Sequence, residues 1–558
     1  MSLCWSRAVL SWSFSLLALS VCGCATPQEV TQTAVPPPQL ALDEIPLQIT
    51  QRCPGDPACP DEGDGRLYAG FAKRDVTPQI EPFTDTNGNG VYDDGEPYED
   101  KNKNGTFDAY WIAGYDSGRL ATGVNDPVWA RALALRQNQT TVVVVAVDTL
   151  GLFRDEFDYV NKLIDKRLGI DLLLLHGTHV HETADLTGGW GPDDFTNGVN
   201  NAYRQKVHQA IADAATEAVA NLRPARMTLG SIKVQDPDGN MKRYVFDSRD
   251  PVVINNVLHT MQFLDVSTTP PQPITTLVNW SNHPEAAGSK NKLISSDFVH
   301  YLRQELEQKG AGPVVYVSGS IGGLLGPGHA APLDETGTPV TDEGLKKAQA
   351  LGHEVARFAL TAMADPGNLS VEGKAARLSF RSTEFKTHIE NQKYHLAAML
   401  GVFKRKFCCF DDTRPLSEEN IPSVETLVAY LRIGPASIIT NPGELTSELF
   451  LGGYDGSLAG TYPLFDPRKA NAPDLSLAPL PPYLIDRMHG VREHRMTWGL
   501  TGDFLGYILP RYHFVLSEKR PYIDQAKGDH YEETNSIGPR AEAEIVGTMR
   551  QLVESDRE

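Results

Sequence analysis

The sequence predicts an α/β fold, a layered mixed sheet with helices packed against it. Apolar runs such as residues 140–147 and 170–175 have the length and composition of strands that are buried on both faces. Segments with helical spacing, such as 202–222 and 343–364, alternate with these runs along the chain. The chain of 558 residues is 41% hydrophobic and 22% charged, so it is long enough to bury a large core.

The predicted elements follow one another along the chain. In chain order they are a strand at 67–78 that ends in a proline turn, strand 140–147, helix 156–168, strand 170–175, helix 202–222, strands 227–234, 258–266 and 275–280, helix 298–308, strand 313–317 and helix 343–364. A further apolar strand precedes Asn441, and we expect the Pro- and Gly-rich segment 460–482 to form a loop over the functional site.

The N-terminus predicts an exported protein. Arg7 precedes an apolar run at 8–21, which is typical of a signal peptide, and Gly23 before Cys24 resembles a bacterial lipobox. We therefore expect residues 1–23 to be removed and Cys24 to carry acyl chains that anchor the protein in a membrane. Ordinary secretion with cleavage nearby is the alternative. Because Ala25 is not Asp, an outer-membrane or cell-surface location is favoured.

The composition of residues 24–65 predicts a disordered tether, and we expect residues 66–558 to form a single globular domain. In an oxidising compartment we expect a disulfide between Cys53 and Cys59, whereas the adjacent Cys408 and Cys409 form either a strained disulfide or free thiols. The formal net charge of -20 excludes a nucleic-acid-binding protein, because phosphate binding needs basic residues.

Candidate metal ligands follow predicted strands. His179 and His181 come after strand 170–175, His283 follows strand 275–280, and Glu444 follows the apolar strand before Asn441. Side chains two apart on a strand point to one face, so we expect His179 and His181 to face the same cavity. In open α/β sheets, sites lie at the carboxyl ends of strands. Two His and one Glu are a sufficient set for a catalytic zinc ion.

A series of blocks resembles the N-terminal catalytic domain of the neutral/alkaline (non-lysosomal) ceramidases over residues 67–550. The blocks are Gly70 to Pro78, Asp126 to Ala132, Thr178-His179-Val180-His181, His283 with Ile294 to Phe298, Pro442-Gly443-Glu444, Gly502 to Tyr507, and Tyr531-Glu532-Glu533 with Gly538-Pro539. The family's C-terminal immunoglobulin-like domain has no counterpart in this sequence, so we expect the catalytic domain alone.

The resemblance implies a site as well as a fold. It implies four zinc ligands, His179, His283, Glu444 and Tyr507. It implies that His181, together with an arginine further along the chain, stabilises the oxyanion; Arg243 lies at a suitable separation, and Tyr507 is a second candidate for this role. The alternatives are that Arg243 is a surface residue and that Tyr507 is a buried core residue.

One block departs from the family pattern. The family carries a Gly-Asp-Val-Ser-Pro block after the second histidine. In the corresponding segment here, Val317 to Pro327, apolar residues replace the Asp and the Ser of that block, although Ser318 and Ser320 are near. A mechanism in which zinc activates water survives this change, whereas a serine nucleophile would not. The departure leaves the identity of the substrate open.

A calcium-loop insertion is predicted at 85–111. Six positions of the twelve-residue calcium loop are filled by Asp85, Asn87, Asn89, Val91, Asp93 and Glu96. A second loop has Asp100, Asn102, Asn104 and Asp108 but Trp111 in place of the final Glu. We expect this site to be weaker or to take a carboxylate from elsewhere. An Asn-rich turn without metal is the alternative.

The resemblance implies a zinc-dependent hydrolase of an amide bond in a lipid such as ceramide, with zinc-activated water attacking the carbonyl. The same fold could also hydrolyse another ester, amide or phosphoester, or serve as a non-catalytic surface binding protein. The expected partners are a lipid or other amide or ester substrate and a membrane reached through the anchor. The sequence does not indicate an oligomeric state.

Overall fold

The computed structural model describes residues 45–325 and 330–556. Within these residues the strands are β1 Gln51–Cys53, β2 Leu67–Asp75, β3 Gly123–Val124, β4 Trp129–Gln137, β5 Thr140–Val147, β6 Leu172–Gly177, β7 Arg223–Lys233, β8 Val257–Asp265, β9 Gln272–Trp280, β10 Leu293–Ile294, β11 Val314–Ser318, β12 Leu369–Val371, β13 Leu378–His388, β14 Ser423–Ile433, β15 Ala436–Thr440, β16 Glu444–Leu445, β17 Arg495–Trp498 and β18 Tyr507–Ile508.

Helices connect and cover these strands. They are α1 Arg154–Leu163, α2 Asn201–Ala220, α3 Asp297–Gln308, α4 Leu345–Ala364, α5 Gln392–Met399, α6 Ser447–Leu451, α7 Leu484–Arg487 and α8 Gly547–Glu554. Short 3-10 turns lie at Lys166–Leu168, Gly373–Ala376, Leu475–Leu477, Arg492–His494, Arg511–His513 and Glu532–Asn535, and a π-helical turn at Glu542–Val546 leads into α8.

Two sheets form the centre of the molecule. The larger has the strand order β11-β9-β8-β7-β2-β4-β5-β6, with β12 also paired to β7, and the smaller has the order β1-β13-β14-β15-β17. Both sheets are mixed: the β5–β6, β9–β11 and β15–β17 pairs are parallel, and most others are antiparallel. The predicted mixed α/β fold is therefore confirmed.

The sheets face each other, and helices cover their outer faces. One apolar core is formed by residues of both sheets, and separate apolar clusters lie under α1 and α2, under α3 and α4, and under α8. Strand β5 shows why apolar clusters form on both faces of the larger sheet. Val142 and Val144 lie in the core between the sheets, whereas Val143 and Val145 pack under α1 and α2. Alternate residues point to opposite faces, so a continuous apolar run is buried on both.

The observed bounds differ from the predicted ones in informative places. The predicted helix 156–168 is wrong as a single element, because the chain becomes extended at Ile164 and the Asp165 side chain caps a separate 3-10 turn. The strand predicted at 170–175 is shifted, since β6 continues to Gly177 and contains His176. The long antiparallel strands β13 and β14 were not predicted.

Two further features of the chain concern a disulfide bond and membrane-spanning helices. Cys53 and Cys59 are joined by a disulfide bond, with Cα atoms 5.6 Å apart. In residues 45–325 and 330–556 we find no helix with the length and apolar character needed to cross a bilayer. The predicted signal peptide and the acylation of Cys24 lie outside the described residues.

Leu174→Ala tests the core between the sheets. The Leu174 side chain is fully buried there, so we expect its removal to lower the free energy of unfolding by about 2–5 kcal/mol. Leu163→Ala at the exposed end of α1 is the matched control and should change it by less than about 0.5 kcal/mol. Denaturant unfolding measures both, and equal losses in the two variants would contradict the packing.

Candidate metal centre and cavity

His179 is held in a defined orientation just after β6. The strand ends at Gly177, and His179 adopts a left-handed backbone conformation with φ of 68°, which is uncommon for a residue with a side chain. Its amide donates to Thr149 O at 2.9 Å, and its Nδ1 lies 2.8 Å from Leu150 O. Because a carbonyl can only accept, Nδ1 carries the proton and Nε2 is left with a free lone pair.

His283 is held in the same way after β9. Its Nδ1 lies 2.9 Å from Leu324 O, so Nδ1 donates to this carbonyl and Nε2 is the ring nitrogen that faces the cluster. That Nε2 is 3.1 Å from Glu444 Oε2, and the same carboxylate oxygen is 3.4 Å from His179 Nε2. Two imidazole nitrogens and one carboxylate oxygen therefore converge on one point, each ring oriented by a backbone carbonyl as metal-ligating histidines are.

His181 completes a cluster of three buried histidines. The ligand atoms of His179, His181 and His283 lie within 4.8 Å of one another, a grouping that could hold a metal ion. Among the described residues, no hydrogen-bond partner reaches either ring nitrogen of His181, and Nδ1 lies 3.4 Å from Glu285 Oε2. Unpartnered polar atoms at this depth are rare in proteins. A divalent cation would satisfy this donor set.

The strand-alternation argument for the two neighbouring histidines is wrong. Residues 178–181 follow the end of β6 and are not part of it, so no pleat aligns the side chains. The His181 ring is instead placed by packing. A Cβ atom on Gly114 would lie 2.5 Å from His181 Cγ, the Tyr115 ring meets the His181 ring edge-on with 5.2 Å between centroids, and Arg119 Nη2 donates to His181 O at 3.2 Å.

The electrostatics of the cluster follow from burial and close charges. Burial raises the pKa of Glu444, but the adjacent His179 and His283 lower it to about 2, so the carboxylate is ionised. Burial lowers the pKa of His283, but its hydrogen bond to Glu444 and the charge of Glu285 raise it above the ordinary value. Burial, with His179 and His283 nearby, holds the pKa of His181 well below the ordinary value.

Tyr507 lies beside the cluster. Its strand β18 pairs in parallel with β16, which places Tyr507 opposite Glu444, and its side chain is buried and lines the same cavity. Burial and the charge of Glu444 raise the pKa of Tyr507 well above its ordinary value. The structure therefore brings together all four residues that the resemblance implies as ligands, and His181 with them.

The cluster opens into a cavity of about 660 Å³, within the range of small-molecule sites. One group of lining residues is apolar and aromatic: Phe153, Ile389, Ala397, Val402, Phe403, Phe407, Phe504 and Leu505. A second group is largely acidic: Asp247, Asp250, Glu343, Asp466, Lys469, Asp529 and Glu532. The loop predicted at 460–482 contributes Tyr462, Pro463, Asp466 and Lys469. A ligand that fills this cavity is expected to be amphipathic.

Arg243 is not brought to the site. It is absent from the described residues that line the cavity, and its Nε forms an ion pair of 2.9 Å with Asp236. The sequence separation was suitable, but the turn at 237–244 directs this side chain elsewhere. The oxyanion role that the resemblance implies for Arg243 therefore has no support in this geometry.

The two serines in the block that differs from the family pattern also lie outside the cavity. Ser318 Oγ donates to Thr178 O at 2.9 Å, and Ser320 Oγ shares a hydrogen bond of 3.2 Å with Ser447 Oγ. Both serines are fully buried, and in the described part of the lining neither is present. Gly326 and Pro327 of this block lie outside the described residues.

Sequence reasoning missed several residues of the site. Tyr115, Glu285 and Tyr531 line the cavity together with His181, but they come from separate loops. Tyr531 opens one of the blocks that carry the family resemblance, and Glu285 lies two residues after His283. These two positions were the sequence signals that could have identified Tyr531 and Glu285. No sequence signal indicated Tyr115.

The two predicted calcium loops share one hydrogen-bonding pattern. In the first, Glu96 Oε1 accepts from Thr86 N at 2.7 Å and Oε2 from Asp93 N at 3.0 Å. In the second, the same two loop positions are Lys101 and Asp108, whose amides donate to Glu81 Oε1 at 3.1 Å and Oε2 at 2.9 Å. Glu81 therefore occupies the place of the missing final carboxylate.

The loops pack against each other and connect to the site. The Tyr92 and Phe107 rings stack at 4.1 Å between centroids, and Phe83 and Tyr98 meet Phe107 edge-on. The chain then leads through Trp111 and Ile112 to Gly114 and the contacts around His181.

Cys408 and Cys409 have free thiols, and their Sγ atoms are 2.8 Å apart.

Comparison with known proteins agrees with this architecture. Residues 104–365 match the family model of the neutral/alkaline non-lysosomal ceramidase N-terminal domain, which confirms the resemblance. The match includes the three histidines, whereas Glu444 and Tyr507 lie beyond it. No curated protein matches the chain.

Solved structures show the same fold. The crystal structure of neutral ceramidase from Pseudomonas aeruginosa superposes with a TM-score of 0.60 at 14% sequence identity, covering 88% of this chain and 74% of that one. A ceramidase complexed with C2 superposes with a TM-score of 0.58 at 13% identity, covering 88% and 75%. At this level of identity the likeness establishes the fold alone.

Metal binding tests the cluster directly. After chelator treatment we expect the protein to bind one equivalent of Zn²⁺, and His179→Ala, His283→Ala and Glu444→Gln each to weaken binding by at least about tenfold, because each removes one ligand. His353→Ala on α4, outside the cavity lining of the described chain, is the control. Isothermal titration calorimetry gives the affinities; wild-type affinity in all three site variants would disprove the cluster as a metal centre.

Proposed function

We propose that this protein is a zinc-dependent hydrolase that cleaves the amide bond of a lipid such as ceramide. The observation that carries the proposal is the convergence of His179 Nε2, His283 Nε2 and Glu444 Oε2 beside a cavity with an apolar wall. The family match over residues 104–365 supports the reaction class, and the shared fold supports the placement of the site.

The donor set fits zinc. Two neutral imidazole nitrogens and one carboxylate are ligands that zinc prefers in catalytic sites, and Tyr507 is the proposed fourth. When bound, zinc lowers the pKa of a water molecule towards neutrality and polarises a substrate carbonyl. The carbonyls of Leu150 and Leu324 hold the two rings in the tautomer and orientation that this role requires.

His181 is the proposed donor to the oxyanion. The carbonyl oxygen gains negative charge during attack, and a positioned N–H or O–H lowers the energy of that state. His181 has unpartnered ring nitrogens in the described structure, and the packing of Gly114 and Tyr115 fixes its ring. It therefore needs no rearrangement to donate a hydrogen bond.

The two kinds of cavity wall suit the two parts of an amide lipid. The aromatic wall from Phe153 to Phe504 offers an apolar surface to a hydrocarbon chain, with ring centroids 6.3 Å apart. The acidic group offers oxygen acceptors for hydroxyls and for the amine that hydrolysis releases.

A zinc hydrolase of another ester or amide is the second candidate. The observation that favours it is the departure at Ser318 and Ser320, which are buried away from the cavity. A substrate that relied on a serine contact at this position would lose it. Assay of a water-soluble ester beside a fluorescent ceramide distinguishes the two candidates, because the true substrate will have the higher kcat/KM.

We also propose that calcium occupies both loops of the 85–111 insertion and that Cys24 carries the lipid anchor. The matching roles of Glu96 and Glu81 support the two calcium sites. The lipobox-like sequence before Cys24 supports the anchor and a location at the outer membrane or cell surface.

Substitutions at the histidines test the catalytic roles. We expect His179→Ala and His283→Ala to lose both zinc and hydrolysis, whereas His181→Ala should keep zinc and lower kcat/KM by about 10²–10³-fold, since it removes one oxyanion donor. Metal analysis and turnover of a fluorescent ceramide give the two readouts.

Arg243→Ala is the matched control for these variants. Its guanidinium pairs with Asp236 outside the described cavity lining, so activity should stay within about twofold of the wild type. Full zinc content and full activity in both His179→Ala and His283→Ala would refute the assignment.

Calcium chelation tests the insertion. We expect removal of calcium to increase proteolysis within residues 85–111, and Glu81→Gln and Glu96→Gln each to raise the calcium concentration needed for protection by at least about tenfold. Glu99→Gln is the control, because this exposed residue holds no loop position. Protection that is the same with and without calcium would exclude the sites.

A further inference from the structure

Helix α5 and the turn that follows it form part of the cavity wall. Lys393, Tyr394 and Ala397 of α5 line the cavity. After the helix the chain turns back, because the amides of Val402 and Phe403 both donate to Ala397 O, at 2.9 and 3.3 Å. Val402 and Phe403 also line the cavity. We call residues 396–406 the α5 tip; its inner side is cavity wall.

The outer side of the α5 tip is apolar and exposed. Leu396 is 37% exposed, Met399 82% and Leu400 52%. The exposed face of a short surface helix is normally polar, so that only one stripe is apolar and buried. In α5 this pattern is reversed: the buried residues are Lys393 and His395, and the exposed outer side is apolar. An exposed apolar cluster of this kind indicates a surface that another phase or molecule covers.

Basic residues flank the apolar cluster. Lys404 and Lys406 are exposed and lie just after Phe403. In the described part of the chain neither lysine forms a close ion pair, although Lys406 interacts electrostatically with Asp155 and the protein has a net charge of -20. Apolar side chains beside lysines match the structure of an anionic lipid surface, where acyl chains lie beneath negatively charged head groups.

We propose that the α5 tip docks on an anionic lipid bilayer, with Met399 and Leu400 inserted among the acyl chains and Lys404 and Lys406 at the head groups. The inference goes beyond the proposed function and rests on it only for the lipid nature of the substrate. The inner side of the same segment is the apolar cavity wall, so docking brings that wall to the surface from which a lipid substrate leaves.

The size of the tip favours a bilayer over a second copy of this chain. The net charge of -20 opposes approach to an anionic bilayer and to a second copy alike, whereas the two lysines beside the apolar cluster are attracted locally to negative head groups. A self-interface also needs a large, self-complementary patch, and the tip offers three large apolar side chains.

Vesicle binding tests the proposal. All variants carry Cys24→Ala in the full chain, so that no acyl anchor contributes. We expect this protein to float with phosphatidylcholine vesicles that contain phosphatidylglycerol, and Met399→Ser with Leu400→Ser to weaken binding by about tenfold or more. Leu480→Ser is the matched control, because Leu480 is 85% exposed and lies outside the tip. Lys404→Glu with Lys406→Glu should weaken binding by about tenfold at low salt and have little effect on uncharged vesicles.

Hydrolysis separates docking from catalysis. With a lipid amide embedded in vesicles we expect the Met399→Ser/Leu400→Ser protein to lose activity in proportion to its lost binding, while activity on a water-soluble short-chain amide is unchanged. Absence of vesicle binding by the Cys24→Ala protein, or equal binding by the tip and Leu480→Ser variants, would overturn the docking proposal and leave the proposed function standing.

Two other results would decide whether the tip docks on a bilayer. A dimer that dissociates when Met399 and Leu400 are replaced, measured by light scattering, would make the tip a self-interface and also overturn the proposal. Tip-dependent vesicle binding by a protein that hydrolyses no lipid amide would support docking and reject the proposed function.

Discussion

Two hydrogen bonds from imidazole Nδ1 atoms to backbone carbonyls determine the geometry of the proposed metal centre. Each histidine follows one strand of a parallel pair, and its carbonyl partner follows the other. His179 comes after β6 and bonds to Leu150 after β5, whereas His283 comes after β9 and bonds to Leu324 after β11. The parallel pairing thus places a carbonyl beside each ring, and both Nε2 atoms face the same point.

The smaller sheet supplies the third ligand. Glu444 follows β15 and pairs through β16 with Tyr507 on β18. The sheets are joined close to the site, where His176 Nδ1 lies 2.8 Å from Gly499 O. Gly443 has no room for a side chain, because a Cβ there would lie 2.5 Å from Gly506 O. The metal centre is therefore a junction, and movement of one sheet against the other would separate its ligands.

Burial of the charged Glu444 carboxylate at this junction costs free energy. Ionised Glu444 is nearly inaccessible to water and is stabilised by two imidazoles. A divalent ion would balance the Glu444 charge and bind the Nε2 atoms of His179 and His283, so metal binding and the stability of the site are expected to be linked. The segment from the calcium loops to Gly114 adds a second support, since it packs directly on the His181 ring.

The sequence by itself determined the main elements and most of the site. Continuous apolar runs located β5 and β9, and strand ends followed by His179, His283 and Glu444 indicated the metal centre, because periodicity and strand termini are local properties. Tertiary structure decided the rest. It paired Arg243 with Asp236, placed Glu81 in the second proposed calcium loop, and brought Tyr115 to His181. These contacts join residues from separate loops, and their formation depends on how the two sheets pack, which no local pattern records.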